Sequence, residues 1–219
     1  MTPTVLLYDW DNTLVDAWAP IAGALNQVLA ARGLPLWTIR QTRERVRTND
    51  EDSWRAWFAD DWKAARKDFA RAMRTQDLTQ IRPMPGADEA LEAGSPIPQA
   101  VVSNKGRPFV EAEAAALGWS HRFALVVGAG DAEADKPHPA PILLALSRMN
   151  IPPSPSVWYV GDTAVDMRAA RAAGVTAVLV GDGAHDAAAT PDPHLHFPTA
   201  HDLARRLRAR VAAPEENPG

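Results

Sequence analysis

Apolar residues along the chain follow a strand pattern once near the start and then a long helical pattern. Residues 4–9 form a nearly continuous apolar run, which is typical of a buried strand in a parallel sheet. Residues 14–82 read as helical throughout. Helices are predicted at residues 17–32, from about residue 38 to 46, and at residues 53–73.

Strands and helices alternate after the Pro- and Gly-containing stretch at residues 82–86. The strands are predicted at residues 99–102, 124–127, 157–160 and 175–180, with helices at residues 87–93, 108–117, 139–149, 164–173 and 201–210. This order predicts an α/β fold, a Rossmann-like parallel sheet core with an inserted all-helical cap. We expect a core domain over residues 1–13 and 84–210, a cap domain over 14–83 and a disordered tail over 211–219.

The composition fits an ordinary globular protein and narrows the functional classes. The chain has 219 residues, of which 46% are hydrophobic and 23% charged, and its formal net charge is -4. This charge disfavours a nucleic-acid binder, because such proteins usually carry a basic surplus. No apolar stretch approaches the roughly 20 residues of a membrane helix, and the first residues lack the pattern of a signal sequence.

Cysteine is absent from the chain, which excludes disulfides and thiolate metal sites. A reducing compartment is compatible with this absence, and we expect a cytoplasmic location. The composition does not predict the oligomeric state.

Polar side chains follow the ends of the predicted strands. Ligands bind at the carboxyl ends of parallel strands, so these side chains are expected to meet at one edge of the sheet. The set contains carboxylates, a hydroxyl, an amide and a lysine, and its members are Asp9, Asp11, Ser103, Asn104, Lys136, Asp162 and Asp166.

The chemistry of this set favours phosphoryl transfer. Asp9, Asp11 and Asp162 are hard oxygen donors suited to Mg²⁺, and a cation relieves the repulsion between neighbouring carboxylates. Ser103 and Lys136 are left to hold an anion. A cation, an anion site and a carboxylate nucleophile together describe an enzyme that transfers phosphoryl groups.

Four stretches resemble the motifs of the haloacid dehalogenase superfamily, in the family's order: DWDNTLVD at residues 9–16, VVSN at 101–104, KPHPAPI at 136–142 and YVGDTAVDM at 159–167. The resemblance spans roughly residues 5–182. The helical insert is similar in placement to the C1-type cap, and the PMPGA and SNKG stretches are similar to the phosphoglycolate-phosphatase-like branch. One departure is Asn12, where many members have Gly, and Asn tolerates the backbone angles required there.

The resemblance implies a role for each motif residue. Asp9 resembles the nucleophile that becomes an aspartyl phosphate, and Asp11 resembles the general acid and base. The implied phosphate-binding residues are Ser103, Asn104 and Lys136, and the implied metal ligands are Asp9, Asp11 (through its backbone carbonyl) and Asp162. Asp166 resembles a residue that supports the metal ligands without binding the ion. Dehalogenases of the superfamily lack the second acid, so Asp11 argues against dehalogenation.

The implied function is Mg²⁺-dependent hydrolysis of a small phosphorylated metabolite, which is phosphoglycolate-like, a sugar phosphate or a nucleotide. The alternatives are a phosphomutase of the same fold and a non-catalytic binding protein. Trp10, between the two acids, is expected to point into the packing. Lys105 follows the phosphate-binding serine, which suggests an electrostatic role. His194 and His196 have no evident third metal ligand and are expected at the surface.

Overall fold

The computed structural model describes residues 2–46, 51–75, 77–181 and 193–211. The strands are β1 (Val5–Tyr8), β2 (Gln99–Val102), β3 (Val126–Val127), β4 (Val157–Gly161), β5 (Thr176–Val180) and β6 (Leu195–Phe197). They form one six-stranded sheet in the order β3-β2-β1-β4-β5-β6, and all neighbouring pairs are parallel. This topology confirms the predicted α/β fold and places β1 between β2 and β4.

The helices cover the sheet and build the insert that follows β1. They are α1 (Trp18–Ala30), α2 (Ile39–Arg45), α3 (Glu51–Phe58), α4 (Trp62–Arg74), α5 (Ala87–Gly94), α6 (Arg107–Ala116), α7 (Ala140–Arg148), α8 (Ala164–Ala172) and α9 (Ala200–Val211). Thr38 begins α2 with a capping box, in which its hydroxyl accepts from the Gln41 N–H.

Alternating side chains of β1 enter two separate cores, one on each face of the sheet. Leu6 and Tyr8 pack with residues of α5, α6 and α9, whereas Val5 and Leu7 pack with residues of α7 and α8. Successive side chains of a strand point to opposite faces, so a strand that is apolar throughout must be covered on both sides. The continuous apolar run therefore corresponds to the central strand of a three-layer fold.

Helices α1 to α4 enclose a third apolar core, which is separate from the other two. Its buried members are Leu25, Val28, Leu29, Trp54, Phe58, Trp62 and Ala65. The two chain segments that lead into and out of these helices lie side by side, since the Asp16 N–H donates to the Arg82 carbonyl and the Met84 N–H donates to the Leu14 carbonyl. The all-helical insert is thus present, while its division from the core at residues 13–14 and 83–84 stays a prediction.

The predicted helix at residues 53–73 is wrong as a single element. It is interrupted by a 3₁₀ turn, Ala59–Asp61, and Ala59 adopts a left-handed backbone with φ of 44°. Phe58 and Trp62 lie on either side of this turn, and both enter the same core. The spacing of apolar residues in the sequence therefore continues across the turn and does not reveal it. The predicted tail beyond α9 lies outside the described residues.

The sheet has an edge strand that the sequence pattern did not predict. Strand β6 pairs with β5, and both His194 and His196 contact backbone atoms. The His194 Nδ1 accepts from the Ala177 N–H, and the His196 Nε2 lies 2.7 Å from the Gly181 carbonyl. In the described ranges, no helix combines the length and apolar character that crossing a membrane requires.

Candidate active site

The carboxyl ends of three adjacent strands bring the predicted site residues together. The loop after β1 carries Asp9 and Asp11, the loop after β2 carries Ser103 and Asn104, and the loop after β4 carries Asp162. Lys136 comes from the segment between β3 and α7. These positions follow from the sheet order, because β1 lies between β2 and β4.

Three buried aspartates form a cluster at this edge. Asp9, Asp162 and Asp166 each offer a carboxylate oxygen, and these oxygens lie within 4.8 Å of one another. Asp9 follows β1 directly, where its N–H donates to the Val160 carbonyl at 2.9 Å. Asp162 accepts a hydrogen bond from the Thr13 hydroxyl at 3.2 Å. Asp9 and Asp162 are therefore close enough to contact one cation.

Asp166 is already engaged by protein donors. Its Oδ2 accepts from the Thr163 hydroxyl at 2.6 Å and from the Thr163 N–H at 3.1 Å, which completes a capping box at the start of α8. Its Oδ1 accepts from Lys136 at 2.7 Å. Asp166 thus orients Thr163 and Lys136, and its support of the metal ligands stays a prediction.

Burial and nearby negative charge make Asp9 and Asp162 hard to ionise. Desolvation raises the pKa of Asp9 to about 6, with further contributions from Asp166 and Asp11, and Lys136 opposes the shift. Desolvation, followed by the charges of Asp166 and Asp9, also raises the pKa of Asp162 well above its usual range. A cation bound between Asp9 and Asp162 would remove this cost. The donor set, which consists of carboxylate oxygens, fits a hard divalent ion such as Mg²⁺.

Lys136 is a buried cation at the centre of the site. Its Nζ lies 2.6 Å from Asp9 Oδ1 and 2.7 Å from Asp166 Oδ1, and it donates to the Tyr159 hydroxyl at 2.8 Å. Burial alone would lower its pKa, but Asp166 and Asp9 raise it well above the usual range. Lys136 therefore stays charged beside the candidate nucleophile.

Tyr159 is a site residue that the sequence analysis missed. It lies in the apolar run of β4, and its hydroxyl donates to the Val102 carbonyl at 2.8 Å while accepting from Lys136. The pattern of a buried strand predicts that the ring is packed, but it does not report what the hydroxyl contacts.

The loop after β2 supports the position of Lys136. The Asn104 side chain donates to the Lys136 carbonyl at 2.8 Å and accepts from the Lys136 N–H at 2.9 Å. Ser103 is buried, and its hydroxyl accepts from the Lys105 N–H at 3.2 Å. The side chain of Asn104 thus fixes the backbone that carries Lys136.

Asp11 lies apart from the three-aspartate cluster and has its own lysine. The Lys105 Nζ lies 2.9 Å from Asp11 Oδ1 and 2.6 Å from Glu113 Oε1. Glu113 also accepts from the indole N–H of Trp10 at 2.6 Å. Burial alone would lower the pKa of Lys105, but Asp11 and Glu113 raise it. Trp10 is fully buried, as its position between the two acids predicts.

Asn12 has the backbone conformation that its place in the motif requires. Its φ is 62°, in the left-handed region where Gly and Asn are best tolerated. Its side-chain oxygen accepts from the Ala17 N–H at 3.3 Å. The replacement of the common Gly by Asn is therefore accommodated in this turn.

The fold and the site together define an α/β enzyme that pairs carboxylates with lysines at the carboxyl edge of a parallel sheet. The chain belongs to the haloacid dehalogenase-like hydrolases, whose family profile matches residues 6–180. A phosphoglycolate phosphatase of Xanthomonas campestris pv. campestris (strain 8004) is 32% identical over 185 residues, which cover 80% of this chain and 82% of that protein. The phosphoglycolate phosphatase of Photorhabdus laumondii is 33% identical over 187 residues, which cover 79% of this chain and 78% of the relative. The protein is therefore a phosphatase of this family.

Solved structures agree with this fold. A haloacid dehalogenase-like hydrolase from Streptococcus pneumoniae superposes with a TM-score of 0.80 at 22% identity, over 93% of this chain and 98% of that protein. At this identity the similarity supports the fold, including its helical insert, and not a particular substrate.

Proposed function

We propose that the protein is a Mg²⁺-dependent phosphatase that hydrolyses a small phosphomonoester through an aspartyl phosphate on Asp9. The observation that carries this proposal is the pairing of buried Asp9 with the Lys136 ammonium, beside a second buried carboxylate, Asp162. A carboxylate held next to a fixed cation is suited to attack a phosphate group that the same cation attracts.

The metal site of this proposal consists of Asp9, Asp162 and the backbone carbonyl of Asp11. Its support is the raised pKa of both carboxyl groups, which burial and like charge explain and which a divalent cation would reverse. When bound, Mg²⁺ supplies positive charge for the phosphoryl oxygens.

The first chemical step forms the enzyme-bound phosphate. A carboxylate oxygen of Asp9 attacks phosphorus, the ester P–O bond breaks, and the leaving oxygen takes a proton from Asp11. Lys136, Ser103 and backbone N–H groups of the loop after β2 hold the phosphoryl oxygens. Lys136 already lies against Asp9, so charge neutralisation needs no large rearrangement.

The second step releases inorganic phosphate. Asp11, now ionised, takes a proton from water, and the resulting hydroxide oxygen attacks phosphorus. The bond between phosphorus and the Asp9 oxygen breaks, which restores both carboxyl groups to their starting states. One residue serves as acid in the first step and as base in the second.

Phosphoglycolate is the substrate that we propose first. This choice is supported by two phosphoglycolate phosphatases that are 32% and 33% identical to this chain. The match covers about four-fifths of each of them. Helices α1 to α4 lie in the chain between the first and second motifs. In this proposal they form the cap that selects the leaving group.

A phosphate-release assay over a panel of phosphomonoesters, with Mg²⁺ and with EDTA, tests the proposal. We expect release from phosphoglycolate with Mg²⁺ and loss of release with EDTA. Isomerisation of a sugar phosphate without phosphate release would indicate a phosphomutase instead. Absence of turnover over the whole panel, together with a stable bound partner, would indicate a binding protein.

A further inference from the structure

Lys105 and Glu113 form a buried ion pair directly behind Asp11. The side chain of Lys105 is 12% exposed and that of Glu113 is 3% exposed, and their closest N–O distance is 2.6 Å. The same ammonium lies 2.9 Å from Asp11 Oδ1. The mechanism described above uses neither Lys105 nor Glu113.

Stability alone does not account for this pair. Moving two charges out of water costs several kcal/mol for each ion, and apolar residues of similar size are often as stabilising. Glu113 follows Val110 by three residues on α6, which places a carboxylate on the buried face of an amphipathic helix. A charge in that position requires partners, and it contacts Lys105 and the indole N–H of Trp10.

Both partners of Glu113 adjoin Asp11, Trp10 in the chain and Lys105 through a side-chain contact. Trp10 precedes Asp11 in the chain, so the hydrogen bond to its indole fixes the backbone of the motif. Lys105 contacts the carboxylate of Asp11 itself. Glu113 therefore holds the main chain before Asp11 and the cation that binds its side chain.

The two acids of the motif are held in parallel ways. Asp9 contacts Lys136, which is backed by the buried carboxylate of Asp166. Asp11 contacts Lys105, which is backed by the buried carboxylate of Glu113. Each acid has its own lysine, and this arrangement separates the metal-facing carboxylate from the one that handles protons.

We propose that Lys105, backed by Glu113, is a positioning residue that holds the carboxyl group of Asp11 beside the leaving oxygen and apart from the aspartate cluster, both when it is protonated in the first step and when it is ionised in the second. This inference rests on the proposed function, because it takes Asp11 as the general acid. Without the ammonium, the Asp11 side chain would be free to rotate away from the leaving group.

A leaving-group comparison separates this role from a loss of folded protein. The ester oxygen of phosphoglycolate needs a proton to leave, whereas p-nitrophenolate leaves without one. For both substrates kcat/KM reports the steps up to the breaking of the ester bond, and a general acid contributes about 10²- to 10⁴-fold where it is needed. The readout is the ratio of kcat/KM for phosphoglycolate to kcat/KM for p-nitrophenyl phosphate.

We expect Lys105→Met to lower this ratio about tenfold or more, because the general acid is present but misplaced. Lys105→Arg keeps a cation in place and is expected to restore most of the ratio. Asp11→Asn marks the full loss of the acid. Arg122→Met is the control for the loss of a cation, since it removes an ion pair with the exposed Glu92 at 3.0 Å and leaves Asp11 untouched.

A second control tests whether misfolding explains the effect of Lys105→Met. Lys105→Met leaves the buried Glu113 without its cation, so the double variant Lys105→Met with Glu113→Gln removes both charges and keeps an acceptor for Trp10. The ratio is expected to fall in the double variant as well.

Each outcome decides the inference. Equal losses on both substrates, or no loss, in Lys105→Met while Asp11→Asn lowers the ratio would overturn the positioning role and leave the proposed function intact. An unchanged ratio in Asp11→Asn, or a wild-type protein inactive on both substrates, would overturn the proposed function and this inference with it.

Discussion

Lys136 Nζ lies 2.6 Å from Oδ1 of Asp9, although the two residues are 127 positions apart in the chain. Both residues are buried at the carboxyl edge of the sheet, Asp9 at 8% and Lys136 at 6% exposure. A buried pair of this kind is costly unless each charge is satisfied, and Lys136 is satisfied by Asp9, Asp166 and Tyr159. This contact joins the candidate nucleophile to the candidate phosphate-binding residue before any substrate arrives.

Replacing the nucleophile tests the chemistry most directly. We expect Asp9→Asn to lose more than about 10³-fold in kcat, because an amide oxygen does not form a stable acyl phosphate. The fold is expected to persist, since Asn occupies the same volume and relieves the repulsion among the buried carboxylates. Circular dichroism and phosphate release measure the two effects. Full activity in this variant, once a contaminating phosphatase has been excluded, would refute the assignment of Asp9.

Removing the central cation is expected to destabilise the protein. Lys136→Met leaves the carboxylates of Asp9 and Asp166 buried without their shared partner, and breaking such a pair costs about 3–5 kcal/mol. The exposed lysine Lys67 provides the control, and Lys67→Met is expected to change the free energy of unfolding by less than about 0.5 kcal/mol. Urea denaturation with Mg²⁺ omitted measures both values. Similar stabilities for the two variants would contradict the structural role of Lys136.

The raised pKa of Asp9 predicts a pH dependence of stability in the absence of metal. The pKa is 3.8 for an unperturbed aspartate and about 6 in the folded protein, so between these values the folded state holds more protons than the unfolded chain. The contribution of Asp9 to the free energy of unfolding therefore falls as the pH rises toward 6, and it becomes constant above that pH.

The comparison of wild type with Asp9→Asn measures this contribution together with the effect of the Asp9 charge on the neighbouring Asp162. With EDTA present, we expect the stability of Asp9→Asn relative to wild type to increase between pH 5 and about 6 and then to level off. Urea titrations at a series of pH values give this difference. A difference that is flat over the whole interval would show that Asp9 ionises normally.

Gly161 packs so closely against Asp166 that a larger residue at this position is expected to disturb the site. A Cβ added at Gly161 would lie 2.4 Å from the Asp166 Cγ, so Gly161→Ala must displace the carboxylate that holds Lys136. We expect a loss of about 1–3 kcal/mol in the free energy of unfolding, together with reduced phosphatase activity. Thermal denaturation and phosphate release measure these effects.

Gly23→Ala is the matched control for this substitution. Gly23 lies in α1 with nothing within 4 Å of an added Cβ. Because alanine favours a helix, a gain of about 0.5–1 kcal/mol is expected there. Equal effects of the two substitutions would show that Asp166 tolerates the added methyl group.

The sequence determined the parts of this protein that depend on local pattern. Apolar runs with polar ends predict the strands of a parallel sheet, and the carboxyl ends of such strands meet at one edge. That rule alone brings Asp9 and Asp162 together, 153 positions apart in the numbering. The motifs around them then indicate the family, and the family profile over residues 6–180 confirms it.

Only the tertiary structure decided which buried groups contact one another. Glu111 and Glu113 are both acids on α6, yet the side chain of Glu111 is 54% exposed and that of Glu113 is 3% exposed. The spacing from Val110 marks Glu113 as the inward one, but its contacts with Lys105 and Trp10 depend on how α6 packs against β1. The hydroxyl of Tyr159, the left-handed turn at Ala59 and the edge strand β6 were likewise missed. Each depends on contacts between segments distant in the chain, which the local alternation of apolar and polar residues does not encode.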